Sequence, residues 1–134
     1  MNKGGCILIN DNNQVGLVYR RVKDDYSFPK GHMEEGETTL ECALRETEEE
    51  TLRDITLVSE DLLGTLEYDN YEGHITNYMY LARDNGPTKK DIREEDREEV
   101  VWVEMVEVES KLTYDDLKEF WVKVLPKIKK MLGE

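Results

Sequence analysis

Residues 38–51, TTLECALRETEEET, constrain the fold more than any other stretch, because they read as a helix with two chemically opposed flanks. Thr38 and Glu41 have capping-box spacing, which sets the helix start near Thr38. On a helical wheel Ala43, Leu44, Thr47 and Thr51 fall within about 60° of Leu40. Glu46, Glu49 and Glu50 gather on the far flank, three and four residues apart and therefore neighbours on the surface. The apolar stripe must be covered by a sheet or by another helix.

The rest of the chain supplies that cover. Residues 6–9 read as a strand, Asn10-Asp11-Asn12-Asn13 as a turn and 14–21 as a second strand, a predicted hairpin. A short strand at 26–28 runs into Pro29-Lys30-Gly31 and a loop to Glu37. Further strands are predicted at 55–58, 62–68, 75–82 and 100–103, with a turn at 70–73. A last helix starts near Thr113, with Leu117, Phe120, Trp121, Val124, Leu125 and Ile128 in one stripe. Pro126 is expected to kink or interrupt it. The order strands, helix, strands, helix predicts an α/β chain with a mixed sheet between helices. Its 134 residues fit one domain, 1–134.

Charge narrows the function. Thirty-one acids against 18 bases give a formal charge of −13, which repels phosphate backbones and disfavours nucleic-acid partners. A small anionic substrate requires something locally cationic, and a bound divalent metal is one way to supply it. Candidate bases for a cleft, Arg20, Arg21, Lys23 and Lys30, are scattered in sequence. Cys6 and Cys42 form no disulfide framework. Neither a signal peptide nor a membrane span of about 18 apolar residues is visible. The chain is expected to be cytoplasmic and free of membranes, as a monomer or homodimer.

Three carboxylates as close as Glu46, Glu49 and Glu50 repel one another. A hard cation, Mg²⁺ or Mn²⁺, removes the conflict and suits phosphoryl chemistry. Acid runs on helices are more often solvated faces, so this cluster alone leaves both readings open.

The wider pattern decides between them. Gly31, Glu37, Arg45, Glu46, Glu49 and Glu50 stand at the spacing of the Nudix box, G-x5-E-x7-R-E-U-x-E-E-x-G-U, and the segment resembles the Nudix hydrolases. The resemblance implies the Nudix fold, an α/β/α sandwich with a central mixed sheet, and hydrolysis of a diphosphate linkage. It implies Glu46, Glu49 and Glu50 as metal ligands, with the Lys30 main-chain carbonyl completing the shell. Glu46 would also help to deprotonate the attacking water. Glu37 would be the loop carboxylate, and Arg45 would pair with Glu37 or steer Glu46. The family's further acid, counted back from Trp102, falls on Asp96, with Glu98 and Glu99 as competitors. The box is broken at its end, where Leu52 replaces glycine and Arg53 an apolar residue, so the helix is expected to run on past Thr51.

Phe28-Pro29-Lys30-Gly31-His32 and Ala43-Leu44-Arg45-Glu46-Thr47 are similar to the diadenosine tetraphosphate hydrolases. That similarity implies a dinucleoside polyphosphate substrate, with Lys30 and His32 near phosphate and Tyr78 and Tyr80 facing the nucleotide. Nucleoside triphosphates are the nearest alternative substrates, and a silent nucleotide sensor is an alternative of another class. RNA caps and diphosphoinositol phosphates would need a more basic surface than the sequence displays.

Overall fold

The computed structural model describes residues 1–90 and 99–134, and its eight strands form one mixed sheet. The strands are β1 (Asn2–Ile9), β2 (Gln14–Arg20), β3 (Asp25–Ser27), β4 (Lys30–His32), β5 (Arg53–Leu57), β6 (Gly64–Asn70), β7 (Gly73–Pro87) and β8 (Glu99–Glu104). The helices are α1 (Thr39–Thr51), α2 (Val108–Lys111) and α3 (Asp115–Met131). The main path runs β3-β2-β1-β7-β5, with β4 on β1, β6 on β7 and β8 on β2. Only β1 and β7 pair in parallel among the described residues.

Strand alternation sorts the core into two layers. Ile7, Ile9, Leu17, Met79 and Leu81 pack with Phe120, Trp121 and Val124 of α3. Cys6, Leu8, Tyr80 and Ala82 pack with Ala43 of α1. The sheet therefore lies between α1 and α3, which is the α/β/α sandwich expected from the sequence. No described helix is long and apolar enough to cross a membrane.

Two glycines explain why β1 begins at Asn2 rather than Cys6. A Cβ on Gly4 would come within 2.8 Å of the Ala43 nitrogen and the Thr39 oxygen. A Cβ on Gly5 would lie 2.1 Å from the Pro29 oxygen. These residues let α1 and β4 press directly on β1, a role that β propensity does not signal. Through them Lys30–His32, expected to be loop, becomes a strand paired with Lys3–Gly5.

Helix α1 begins as read, with both halves of the capping box formed at Thr38 and Glu41. It does not run on. Leu52 itself adopts the left-handed conformation (φ 54°, ψ 35°) and donates its N–H to Glu48, doing the geometric work of the absent glycine at an energetic cost. Nor does Pro126 interrupt α3; the carbonyl it strands belongs to Val122, which is exposed and can be hydrated. Thr113 does not cap α3, because its hydroxyl accepts the N–H of Tyr26 and fastens β3 instead.

Candidate active site

Helix α1 lays its acidic flank against β4. Glu50 accepts the backbone N–H of Lys30 at 2.8 Å. The Glu46 carboxylate lies over Gly31, where an added Cβ would fall 2.0 Å from its Oε2. Gly31 is thus the only residue type that leaves room for Glu46 in this position. The Cys42 thiol donates to the Gly31 carbonyl at 3.4 Å; burial pushes it up to about 11, so it is inert as a nucleophile at neutral pH.

Arg45 ties the acids together. Its Nε and Nη2 donate to the two Glu37 oxygens at 2.6 and 3.0 Å. Its Nη1 donates to Glu46 at 2.7 Å and to Glu49 at 3.2 Å, and Nη2 also reaches the His32 carbonyl at 2.9 Å. Arg45 thus bonds both Glu37 and Glu46, the two alternatives read from sequence, and Glu49 as well. The guanidinium bonds hold the Glu37 carboxyl down at about 2. Burial instead raises the Glu46 carboxyl above its ordinary value, against the opposing pull of Arg45.

Glu46, Glu49 and Glu50 are oxygen donors on adjacent turns, which fits a hard divalent cation. Among the described residues no three acids, histidines or cysteines converge into a ready metal cage, and Arg45 bonds both Glu46 and Glu49. Asp96 lies outside the described residues.

On the other side of β4 is a cleft of about 430 Å³ on the α3 face. Lys3, Arg20, Lys23 and Lys30 line it together with Tyr68 and Tyr114 and with three acids, Asp69, Glu72 and Asp116. Three of the scattered bases thus meet in one place, and Arg21 is not among them. Lys3 was missed because a lone lysine in a glycine-rich terminus carries no sequence signal. Arg20 is held by two bonds to buried Asp25, one of them Nε–H to Oδ1 at 2.7 Å, and Tyr114 donates to Asp25. Burial pushes the Lys30 ammonium down to about 8, with Glu50 opposing and the Arg20 and Lys3 charges adding. His32 also lines the cleft and bonds Glu72 through Nε2 at 3.1 Å. His74 is exposed between Asp69 and Glu67, outside the cleft.

The two tyrosines that the resemblance turns toward a nucleotide lie away from this cleft. Tyr78 and Tyr80 do share a face, but it is the α1 face. Tyr80 is buried there, with its hydroxyl 2.7 Å from that of Thr39. Neither lines the cleft; its aromatic walls are Tyr68, Tyr71 and Tyr114.

The family described as NUDIX domain matches residues 4–124, a span holding the α1 acids, Arg45 and all of the cleft lining except Lys3. The chain belongs to this family. Among its relatives, a mutator protein named MutT4 from Mycobacterium tuberculosis is 39% identical over 76% of this chain and 42% of its own length. An 8-oxo-(d)GTP phosphatase of Mycolicibacterium smegmatis is 31% identical over 77% of this chain and 31% of its own length. An 8-oxo-dGTP diphosphatase of Escherichia coli is 35% identical over 57% of this chain and 60% of its own length. The NUDIX chain thus spans less than half the length of the two mycobacterial relatives. In structure it resembles a C. elegans Ap4A hydrolase at a TM-score of 0.73, with 98% of this chain and 97% of that chain covered at 22% identity. That likeness speaks for the fold.

Proposed function

We propose that this NUDIX protein is a metal-dependent pyrophosphohydrolase that cleaves a phosphoanhydride bond of a nucleoside polyphosphate. The observation that carries the reading is the arrangement about β4, with the Glu46, Glu49 and Glu50 flank on one side and a base-lined cleft on the other. Glu46, Glu49 and Glu50 would hold Mg²⁺ or Mn²⁺, with the Lys30 carbonyl and Asp96 as further candidate ligands. When bound, such an ion supplies positive charge at the phosphates and a more acidic water.

The protein's own residues divide the remaining work. Lys3, Lys23 and Lys30 attract the polyphosphate into an otherwise acidic surface. Glu46, held in place by Arg45, takes the proton of the attacking water. The oxygen of that water bonds to phosphorus, and the bridging P–O bond breaks. Arg45 and Glu37 fix where Glu46 points.

Nucleoside triphosphates are the favoured substrate class, cleaved to a monophosphate and pyrophosphate. A cleft of about 430 Å³ suits one nucleotide, and the sequence relatives named above include an 8-oxo-(d)GTP phosphatase and an 8-oxo-dGTP diphosphatase. Dinucleoside polyphosphates such as diadenosine tetraphosphate are the second reading, favoured by the Pro29-Lys30-Gly31-His32 likeness. A substrate panel with Mg²⁺ and product identification tests both. The proposal is refuted if nothing is released from any phosphoanhydride, or if Glu49→Gln, folded as the parent, turns over unchanged. Tight binding without turnover would favour a sensor.

A further inference from the structure

Asn77 is the odd residue on the α3 face of β7. It is fully buried, and neither its Oδ1 nor its Nδ2 has a hydrogen-bond partner among the described residues. Leaving one buried amide atom unpaired costs about 1–3 kcal/mol, so two on one side chain point to an occupant.

Its position says which one. In β7 the alternation that sends Met79 and Leu81 to the α3 face sends Asn77 there too. Its register partners are Lys3 on β1 and Leu66 on β6, and Tyr68 lies two residues on from Leu66. Lys3 and Tyr68 both line the cleft, and the Lys3 ammonium sits 5.9 Å from the centre of the Tyr68 ring. Asn77 therefore shares its sheet face with a lysine–tyrosine pair that lines the cleft, while its own side chain is buried behind the lining, on the opposite side of β4 from the carboxylates. At that distance, near the outer limit of such contacts, a cation over the half-buried Tyr68 ring is weakly retained, and phosphate offers it a stronger partner.

We infer that Asn77 is the nucleobase reader of this site: Lys3 turns to the polyphosphate, and the uncovered carboxamide takes a base edge that offers an adjacent donor and acceptor. This inference rests on the proposed nucleotide substrate. A carboxamide pairs with such an edge by two bonds, as asparagine does with adenine N6 and N7. Phosphate offers only acceptors and would leave Oδ1 unpaired.

The test measures binding by calorimetry in EDTA, with AMP against ribose 5-phosphate as probes, so that it needs no turnover. The parent protein should bind AMP more tightly, and Asn77→Leu should lose about tenfold in AMP affinity and nothing for ribose 5-phosphate. Its melting temperature should not fall, because the unpaired atoms are gone. Asn77→Asp, which exchanges the donor for an acceptor, should weaken AMP similarly. In the unmutated protein the Asn77 side-chain amide resonances should shift with AMP and stay still with ribose 5-phosphate; this readout needs no variant to fold. Equal AMP affinity in parent and both variants, or amide resonances indifferent to AMP, overturns the inference and leaves a bound water as the occupant. Turnover of triphosphates with Asn77 indifferent sinks this inference alone. Asn77-dependent AMP binding without turnover sinks the hydrolase reading alone.

Discussion

Gly31→Ala separates damage to the site from damage to the fold. The new methyl group would sit 2.0 Å from Glu46 Oε2 and 2.1 Å from its Cδ, whereas ordinary contact begins at 3.4 Å. The carboxylate must therefore retreat by roughly 1.4 Å. The obstructing atoms are the end of a side chain, so the chain can yield by rotating Glu46 away from β4. Displacing a positioned catalytic group by about 1 Å costs on the order of 10²-fold in rate, or about 2.7 kcal/mol. The folding cost, confined to a rotamer change and the Arg45 bond at 2.7 Å, should be about 1 kcal/mol, or about 4 °C in melting temperature. Gly4→Ala is the control. Its Cβ meets backbone atoms of α1 at 2.8 Å, which no rotamer can clear, so it should destabilise much more. Steady-state kinetics with Mg²⁺ and calorimetric melting of both variants supply the comparison. If Gly31→Ala keeps the parent's kcat/KM, or melts as low as Gly4→Ala, the argument that this glycine exists to seat Glu46 is wrong.

Two further outcomes follow from the same geometry. Lys30 has its folded ammonium lowered from 10.5 to about 8 by burial, so between these values the unfolded chain binds the extra proton. Stability of the metal-free protein should therefore rise from pH 8 to 10.5 through this group, and chemical denaturation should show that rise disappearing in Lys30→Met. Leu52 pays a left-handed penalty of about 1–2 kcal/mol, and its side chain joins neither apolar cluster. Leu52→Gly should thus stabilise by about 1 kcal/mol, and an unchanged or lower melting temperature would refute that balance.

Much of this fold was readable because helices announce themselves through periodicity and caps. Thr38 and Glu41 placed one helix start, and the stripe from Leu117 to Ile128 identified α3. The acid flank of α1 was legible for the same reason, since Glu46, Glu49 and Glu50 are neighbours by local geometry alone. What escaped depends on contacts between distant segments. The strand character of Lys30–His32 exists only because Gly4 and Gly5 admit β4 onto β1. The cleft gathers Lys3, Arg20 and Lys30 from three strands, and no local pattern brings such residues together. Tyr78 and Tyr80 show the limit of periodicity. Alternation correctly put them on one face, but which face looks at the cleft is decided by the order of strands in the sheet.

Arg45 merits a substitution of its own because one guanidinium bonds three of the site's carboxylates. Five donors fixed in one plane let it bond Glu37 by two parallel contacts while Nη1 reaches Glu46 and Glu49. The same guanidinium neutralises the carboxylates that a metal would otherwise separate, and it fixes Glu46 from a loop acid outside α1. A lysine keeps the charge but has a single ammonium, which cannot span Glu37 and Glu46 together. Arg45→Lys should therefore fold close to normally yet lose about 10–100-fold in kcat/KM, with the Mg²⁺ concentration for half-maximal rate rising by a similar factor. If the only role of Arg45 were charge neutralisation, lysine would restore both quantities. Parent-like metal dependence in Arg45→Lys would then show that the planar, many-bonded contact is incidental to how Glu46 is aimed.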